Sequence, residues 1–267
     1  MTSGVVRVAC ISVALQLPTW ATGEVAAQDL ARRVASVETG GVTFVYPTRD
    51  EVEICARGVS IAGRRVVWRG RYRDDDGRCA RGTATVELRV DAGRVRDLDV
   101  LDLDDVADPE AVDLGAVGAR DAAEYFLSLA RSTGIPDAAD DVAEDAVLAA
   151  ALADVADLWP ELLDLARDAS VARDARRSAL FWLGQEAGEA VTSGIAAIAA
   201  DEREEQDVRE AAIFALSQRP GDVGVSSLME IARTAREAET RRDAMFWLAQ
   251  SEDARVIAFF EEILLGR

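Results

Sequence analysis

Residues 174–183 (DARRSALFWL), 207–216 (DVREAAIFAL) and 239–248 (ETRRDAMFWL) decide how this chain folds. Laid over one another, Phe181-Trp182-Leu183 matches Phe214-Ala215-Leu216 and Phe246-Trp247-Leu248, with the leucines 33 and 32 residues apart. Seven residues before each leucine stands an arginine (Arg176, Arg209, Arg241), and nine before it an acid (Asp174, Asp207, Glu239). Ala179, Ala212 and Ala244 recur four before it, and Ile195, Leu228 and Phe260 twelve after. A weaker unit precedes these three. Leu152 lies 31 residues before Leu183 and leads into Trp159-Pro160-Glu161-Leu162-Leu163, without the arginine. A period of this length marks stacked helical units, none of which buries its apolar face alone.

The pattern resembles the short bacterial HEAT repeat, the kind named after phycobilisome lyases, over roughly residues 140–267. The resemblance implies an antiparallel helix pair per repeat, and about four pairs stacked into a right-handed α-solenoid with a concave face. In such families the acid and arginine of the first helix form a ladder between neighbouring repeats. By match, Asp174, Arg176, Asp207, Arg209, Glu239 and Arg241 fill that role here. The HEAT enzymes that hydroxylate deoxyhypusine carry paired His-Glu metal ligands, and this chain has no histidine, which excludes that activity. The lyase relatives act on bilins, and no residue here identifies a bilin site.

Upstream, the period changes from helical to alternating. Residues 36–106 carry strand signals at 42–46, 52–56, 66–73, 83–90 and 94–103, separated by turn residues such as Asp76-Gly77 and Asp91-Ala92-Gly93. Val86, Leu88 and Val90 share one strand face, and Glu87 and Arg89 the other. Five short strands predict a small antiparallel β module. Residues 107–139 read as a helical connector and 140–267 as the solenoid, so the expected fold class is α+β.

The first 27 residues read as a cleaved secretory signal: Arg7, then the ten-residue apolar run 8–17 (VACISVALQL), then small residues. That run is too short to span a bilayer, and no later segment is long enough, so no transmembrane segment is expected. Export to a secreted or periplasmic location makes Cys55 and Cys79 a disulfide by default, since Cys10 leaves with the signal. The bridge closes a loop worth about 3 kcal/mol in the loop-entropy model.

Composition removes whole chemistries. All 30 basic residues are arginine, because the chain has no His and no Lys. There is accordingly no Ser-His-Asp or Cys-His pair, no imidazole metal ligand, no Walker A lysine and no Schiff base. The net charge of −19 disfavours nucleic acid. It is unevenly spread: residues 29–106 carry a net −1, and residues 140–267 a net −14. No catalytic residue, metal site or cofactor is indicated.

Three side-chain sets are candidates for binding. Trp182 and Trp247 recur at repeat spacing and serve as partner anchors if they face solvent. Arg65, Arg69, Arg71 and Arg73 share one strand face and form a strip suited to an anionic partner. The acids Asp97, Asp99, Asp102, Asp104 and Asp105 suit calcium in type, but they lack EF-hand spacing, and Asp97 and Asp99 alternate with apolar residues as a solvated face does. The expected function is an exported, non-catalytic scaffold binding a protein or peptide partner in the cell envelope. On this reading second-helix residues such as Ser193, Ser226 and Arg233 line the groove. Two other readings are a lyase-like or other enzyme with a site between β module and solenoid, and anionic-ligand binding by the β module.

Overall fold

The computed structural model describes residues 27–56, 58–61, 64–66, 78–132, 139–185, 188–219 and 222–265. Nearly all of the signal segment, and Arg69, Arg71 and Arg73 of the arginine strip, lie outside them.

Alternation builds the first sheet. In β1 (Thr39–Pro47), Val42, Phe44 and Tyr46 point into the core, and in β6 (Thr83–Asp91), Ala84, Val86, Leu88 and Val90 do the same. These two strands pair antiparallel with Val42 opposite Leu88 and Phe44 opposite Val86, so each inward residue meets another. A tight turn joins β6 to β7 (Arg94–Val100). Ala92 and Gly93 both adopt positive φ there, 51° and 68°, as a two-residue hairpin of matching twist requires.

The second sheet is smaller and holds the disulfide. β2 (Val52–Cys55), β3 (Gly58–Ile61), β4 (Arg64–Val66) and β5 (Cys79–Arg81) run in the order β4-β3-β2-β5, all antiparallel. Cys55 lies directly opposite Cys79 in the β2–β5 pair, with Cα atoms 3.9 Å apart, and the two sulfurs are bonded. The expected module of five antiparallel strands is thus eight strands in two sheets among the described residues. One of the eight is not antiparallel. β8 (Val112–Ala116), inside the stretch read as a helical connector, returns to pair parallel with the far edge of β1, completing the order β7-β6-β1-β8. It left no alternation to read, because only Leu114 is buried and Gly115 adopts a φ of 77°.

Helices α1 (Ala27–Ala35) and α2 (Ala119–Ser132) cover the first sheet. The Ala27 amide donates to Asp121 Oδ1 at 3.0 Å, tying the start of α1 to α2. Phe44, Tyr46, Tyr125 and Phe126 form one ring cluster with centroids 5.4–6.4 Å apart. The buried Tyr46 hydroxyl donates to the carbonyl of Ala149 at 2.9 Å, which links the sheet to α3 (Ala139–Leu152). The end of β1 continues that link: the Arg49 amide donates to Leu152 O, and the Asp154 amide to Pro47 O.

From α3 onward the described chain is helical. α4 (Trp159–Arg167), α5 (Arg173–Gln185), α6 (Glu189–Ala200), α7 (Gln206–Ser217), α8 (Asp222–Thr234), α9 (Ala238–Ala249) and α10 (Arg255–Leu265) follow with short connections. They lie in two rows. α3, α5, α7 and α9 pack side by side in the first, and α4, α6 and α8 in the second, with α10 following α8. α3 is buried on nearly every side because α2, β7 and α5 surround it. Glycine sets the closest approaches: a Cβ at Gly184 of α5 would stand 3.1 Å from the Ala215 carbonyl oxygen of α7. One continuous apolar cluster runs from Leu30 of α1 to Phe259 of α10, so sheets and helices share a core. Among the described residues no helix is long and apolar enough to cross a membrane.

Candidate partner-binding surface

The recurring arginines are structural before they are anything else. Arg176 is fully buried. Its Nε donates to the Ala166 carbonyl at 2.9 Å, satisfying a free oxygen at the end of α4, and its Nη2 pairs with Glu204. Arg209, 7% exposed, repeats the ion pair one unit on, its Nη2 pairing with Glu237, while its Nη1 donates to the Glu204 carbonyl in the connection ahead of its own helix. Arg241 of α9 donates to the carbonyls of Ala235 and Arg236 at 2.8 and 2.6 Å.

The acids expected to face these arginines go elsewhere. Asp174 and Glu239 each take the arginine three residues on in their own helix, Arg177 and Arg242. Asp207 does bridge neighbouring helices, but through Arg173 of α5 at 2.8 Å and not through Arg176 or Arg209. Burial explains the difference: Arg176 and Arg209 are enclosed, whereas Asp174, Asp207 and Glu239 lie nearer the surface and meet surface arginines instead. The working partners, Glu204 and Glu237, stand in the connections ahead of α7 and α9. Asp207 and Glu205 together hold the Arg173 guanidinium above its ordinary pKa.

The tryptophan anchors are corrected in part. Trp182 is 3% exposed, because α5 has neighbours on both sides of its row, and a side chain so enclosed cannot seize a partner. Trp247 is half-buried between Phe214 and Phe246, with centroids 5.0 and 5.2 Å away. The exposed aromatic of the set is Phe246, at 56%.

Of the anionic-partner strip, only the backbone of Arg65 is described: it pairs with Ser60 between β4 and β3. The nearby acids are engaged within the module. Asp102 Oδ1 accepts the Gly58 amide at 2.6 Å, Asp104 pairs with Arg78 at 2.7 Å beside the disulfide, and Asp97 lies 3.7 Å from Arg89. Among the described residues no group of three or more Asp, Glu or Cys is placed to hold a metal ion.

The expected groove residues separate into two kinds. Ser193 of α6 is exposed. Ser226 of α8 is exposed too, and it accepts a hydrogen bond from Arg255 Nη1 at 3.2 Å. Arg233 pairs with Glu262 at 2.8 Å and sits 4.8 Å over the Phe259 ring, so it joins α8 to α10 instead of facing a ligand. Ala258 of α10 takes the position of Ser193 and Ser226 one unit later and is likewise exposed. Arg219, outside every motif, is buried and joins two units: it donates to Thr192 Oγ1 and to the carbonyls of Leu183 and Gly188 at 3.0, 3.1 and 2.7 Å.

Two carboxylates at the last two helices are shifted. Hydrogen bonds from Arg255 hold Asp253, just ahead of α10, down to about 2. Asp243 on α9 is raised, by partial burial first and then by the nearby charge of Glu210. The chain matches no family model, and no curated protein is significantly similar to it.

Proposed function

We propose that the chain is an exported, non-catalytic scaffold of HEAT-like repeats, whose second row of helices binds a protein or peptide partner in the cell envelope. On this reading the two rows are the two sides of a right-handed α-solenoid, with the second row on the concave side. The observation that carries the proposal is the line Ser193, Ser226 and Ala258. These small, exposed residues stand at the same place in three successive second-row helices. They leave a low floor on which a bound chain can lie close to the helix backbones. Glu189 and Glu230 are exposed on α6 and α8 and suit a partner with basic residues. The Cys55–Cys79 disulfide supports an oxidising compartment, and with it the export signal read at the N-terminus.

The test is affinity capture from envelope extract with the oxidised protein, run beside Ser193→Trp and Ala258→Trp. A partner recovered by the wild-type chain and lost with both variants is the expected result. Recovery of no specific protein, or recovery that ignores both substitutions, overturns the proposal.

A further inference from the structure

Along the first row, each arginine of the motif reads the next helix. Arg176 of α5 takes Glu204, ahead of α7, and Arg209 of α7 takes Glu237, ahead of α9. The aromatics follow the same direction, since Phe214 of α7 is half-buried against Trp247 of α9. α9 carries the same two side chains at the same two places, Arg241 and Phe246, and among the described residues no helix follows it in that row. The consequences are visible in both. Arg241 meets only the carbonyls of Ala235 and Arg236, and no described carboxylate takes the place that Glu204 and Glu237 fill for its counterparts. Phe246 is 56% exposed. α10, which follows in the chain, also leaves Ile257 and Leu264 exposed at 69% and 83%, seven residues apart and so on one side of the helix.

We propose that this outer edge of α9 and α10 docks a helix of another protein that carries a Glu or Asp just ahead of its first turn and a large apolar residue ten positions later. Ten is the spacing from Glu237 to Trp247, the pair through which α9 itself docks on α7. Arg241 receives the acid, Phe246 the apolar side chain, and Ile257 with Leu264 the flank of the incoming segment. A second copy of this chain fits less well. Head-to-tail stacking is blocked, because the other end of the first row, α3, is covered by α2 and β7. Two-fold pairing through α10 is opposed by Glu261, which is exposed between Ile257 and Leu264 and would meet its own copy. Arg241 and Phe246 lie on the first row and Ser193 and Ser226 on the second, so either proposal can fail without the other.

The probe is a helical hairpin with the sequence of residues 235–265, closed by an added disulfide between its helices and checked for helicity by circular dichroism before use. It is titrated against the full-length oxidised chain by fluorescence anisotropy. Saturable binding is expected, weakened at least tenfold by Glu237→Gln in the hairpin or by Arg241→Gln in the chain, with the two changes together costing no more than either. Phe246→Ser in the chain weakens it to a similar degree, and both chain variants keep the wild-type circular dichroism spectrum. The proposal is overturned if the folded hairpin fails to bind or if the hairpin carrying Glu237→Gln binds equally well. It is also overturned if the free chain sediments as a dimer that Phe246→Asp dissociates, since a second copy then covers the edge.

Discussion

Glu204→Gln isolates what the buried ion pair contributes. The Arg176 side chain has no exposed surface and that of Glu204 is 12% exposed, so the substitution leaves a guanidinium enclosed without its closest counter-charge. Removing one partner of such a pair costs about 3–5 kcal/mol. Two features of the site lower that figure. Nε keeps its bond to the Ala166 carbonyl, and Glu205 remains 3.8 Å from Nη1. A loss of about 2–3 kcal/mol is therefore expected, and for a chain of this size the melting temperature should fall by roughly 5–10 °C. Glu205→Gln is the control: its side chain is 49% exposed, and the loss there should stay below about 1 kcal/mol. Adding Arg176→Met to Glu204→Gln removes the stranded charge and should recover at least half of the loss. Thermal and urea unfolding followed by circular dichroism measures all three. Equal shifts for Glu204→Gln and Glu205→Gln would refute the reasoning, as would a double variant no more stable than the single one.

Replacing both Cys55 and Cys79 by serine should cost about 3 kcal/mol, read as a lower urea midpoint that reductant no longer changes. At Gly224 an added methyl runs into the Leu216 carbonyl, so Gly224→Ala should lose about 3 kcal/mol. Gly194→Ala meets only the flexible end of Leu163 and should lose about half as much in the same melts. Asp253 has a folded pKa of about 2 against 3.8 unfolded, so its stabilising contribution is complete above roughly pH 5 and disappears as pH falls towards 2. An NMR titration of its carboxyl carbon should show that low midpoint, and Arg255→Gln should return it towards 3.8.

The helical rows were legible because a repeat states its own period: Leu183, Leu216 and Leu248 mark the same face three times, and all three are fully buried. The disulfide was legible because only two cysteines remain beyond the signal. What escaped the sequence depended on three-dimensional neighbours. Asp174 was read as one rung of a ladder between repeats, yet it pairs with Arg177 in its own helix, and the carboxylate that reaches Arg176 from the next unit is Glu204, 28 residues on, in a connection. Trp182 and Trp247 are the same residue in the repeat, and they differ in exposure because α5 lies inside the row and α9 at its edge. β8 was missed because a strand that buries one side chain of five carries no alternation. The small-residue line on the second row was half visible, since Ser193 and Ser226 were singled out while Ala258 needed the structure to show it exposed.

The two ends of the helical rows are unlike, and the β module accounts for the difference. Stacked units leave an apolar face at each end, which must be covered if the array is to stay soluble. At the α3 end that cover is built in: β7 and α2 lie against α3, Tyr46 donates into its backbone, and the strand ahead of it closes on Leu152 and Asp154. The outer surfaces of this cover are polar, with Arg89, Arg94 and Arg96 exposed on β6 and β7. The module that looked like a separate domain thus does for the first row what the next helix does for α5 and α7. The α9–α10 end has no such cover among the described residues, and it keeps the arginine and the aromatic that would receive one. Phe246→Gln together with Leu264→Gln should leave the urea midpoint within about 0.5 kcal/mol of wild type while abolishing docking at that edge. A large loss of stability in that variant would mean the two side chains serve the chain's own fold.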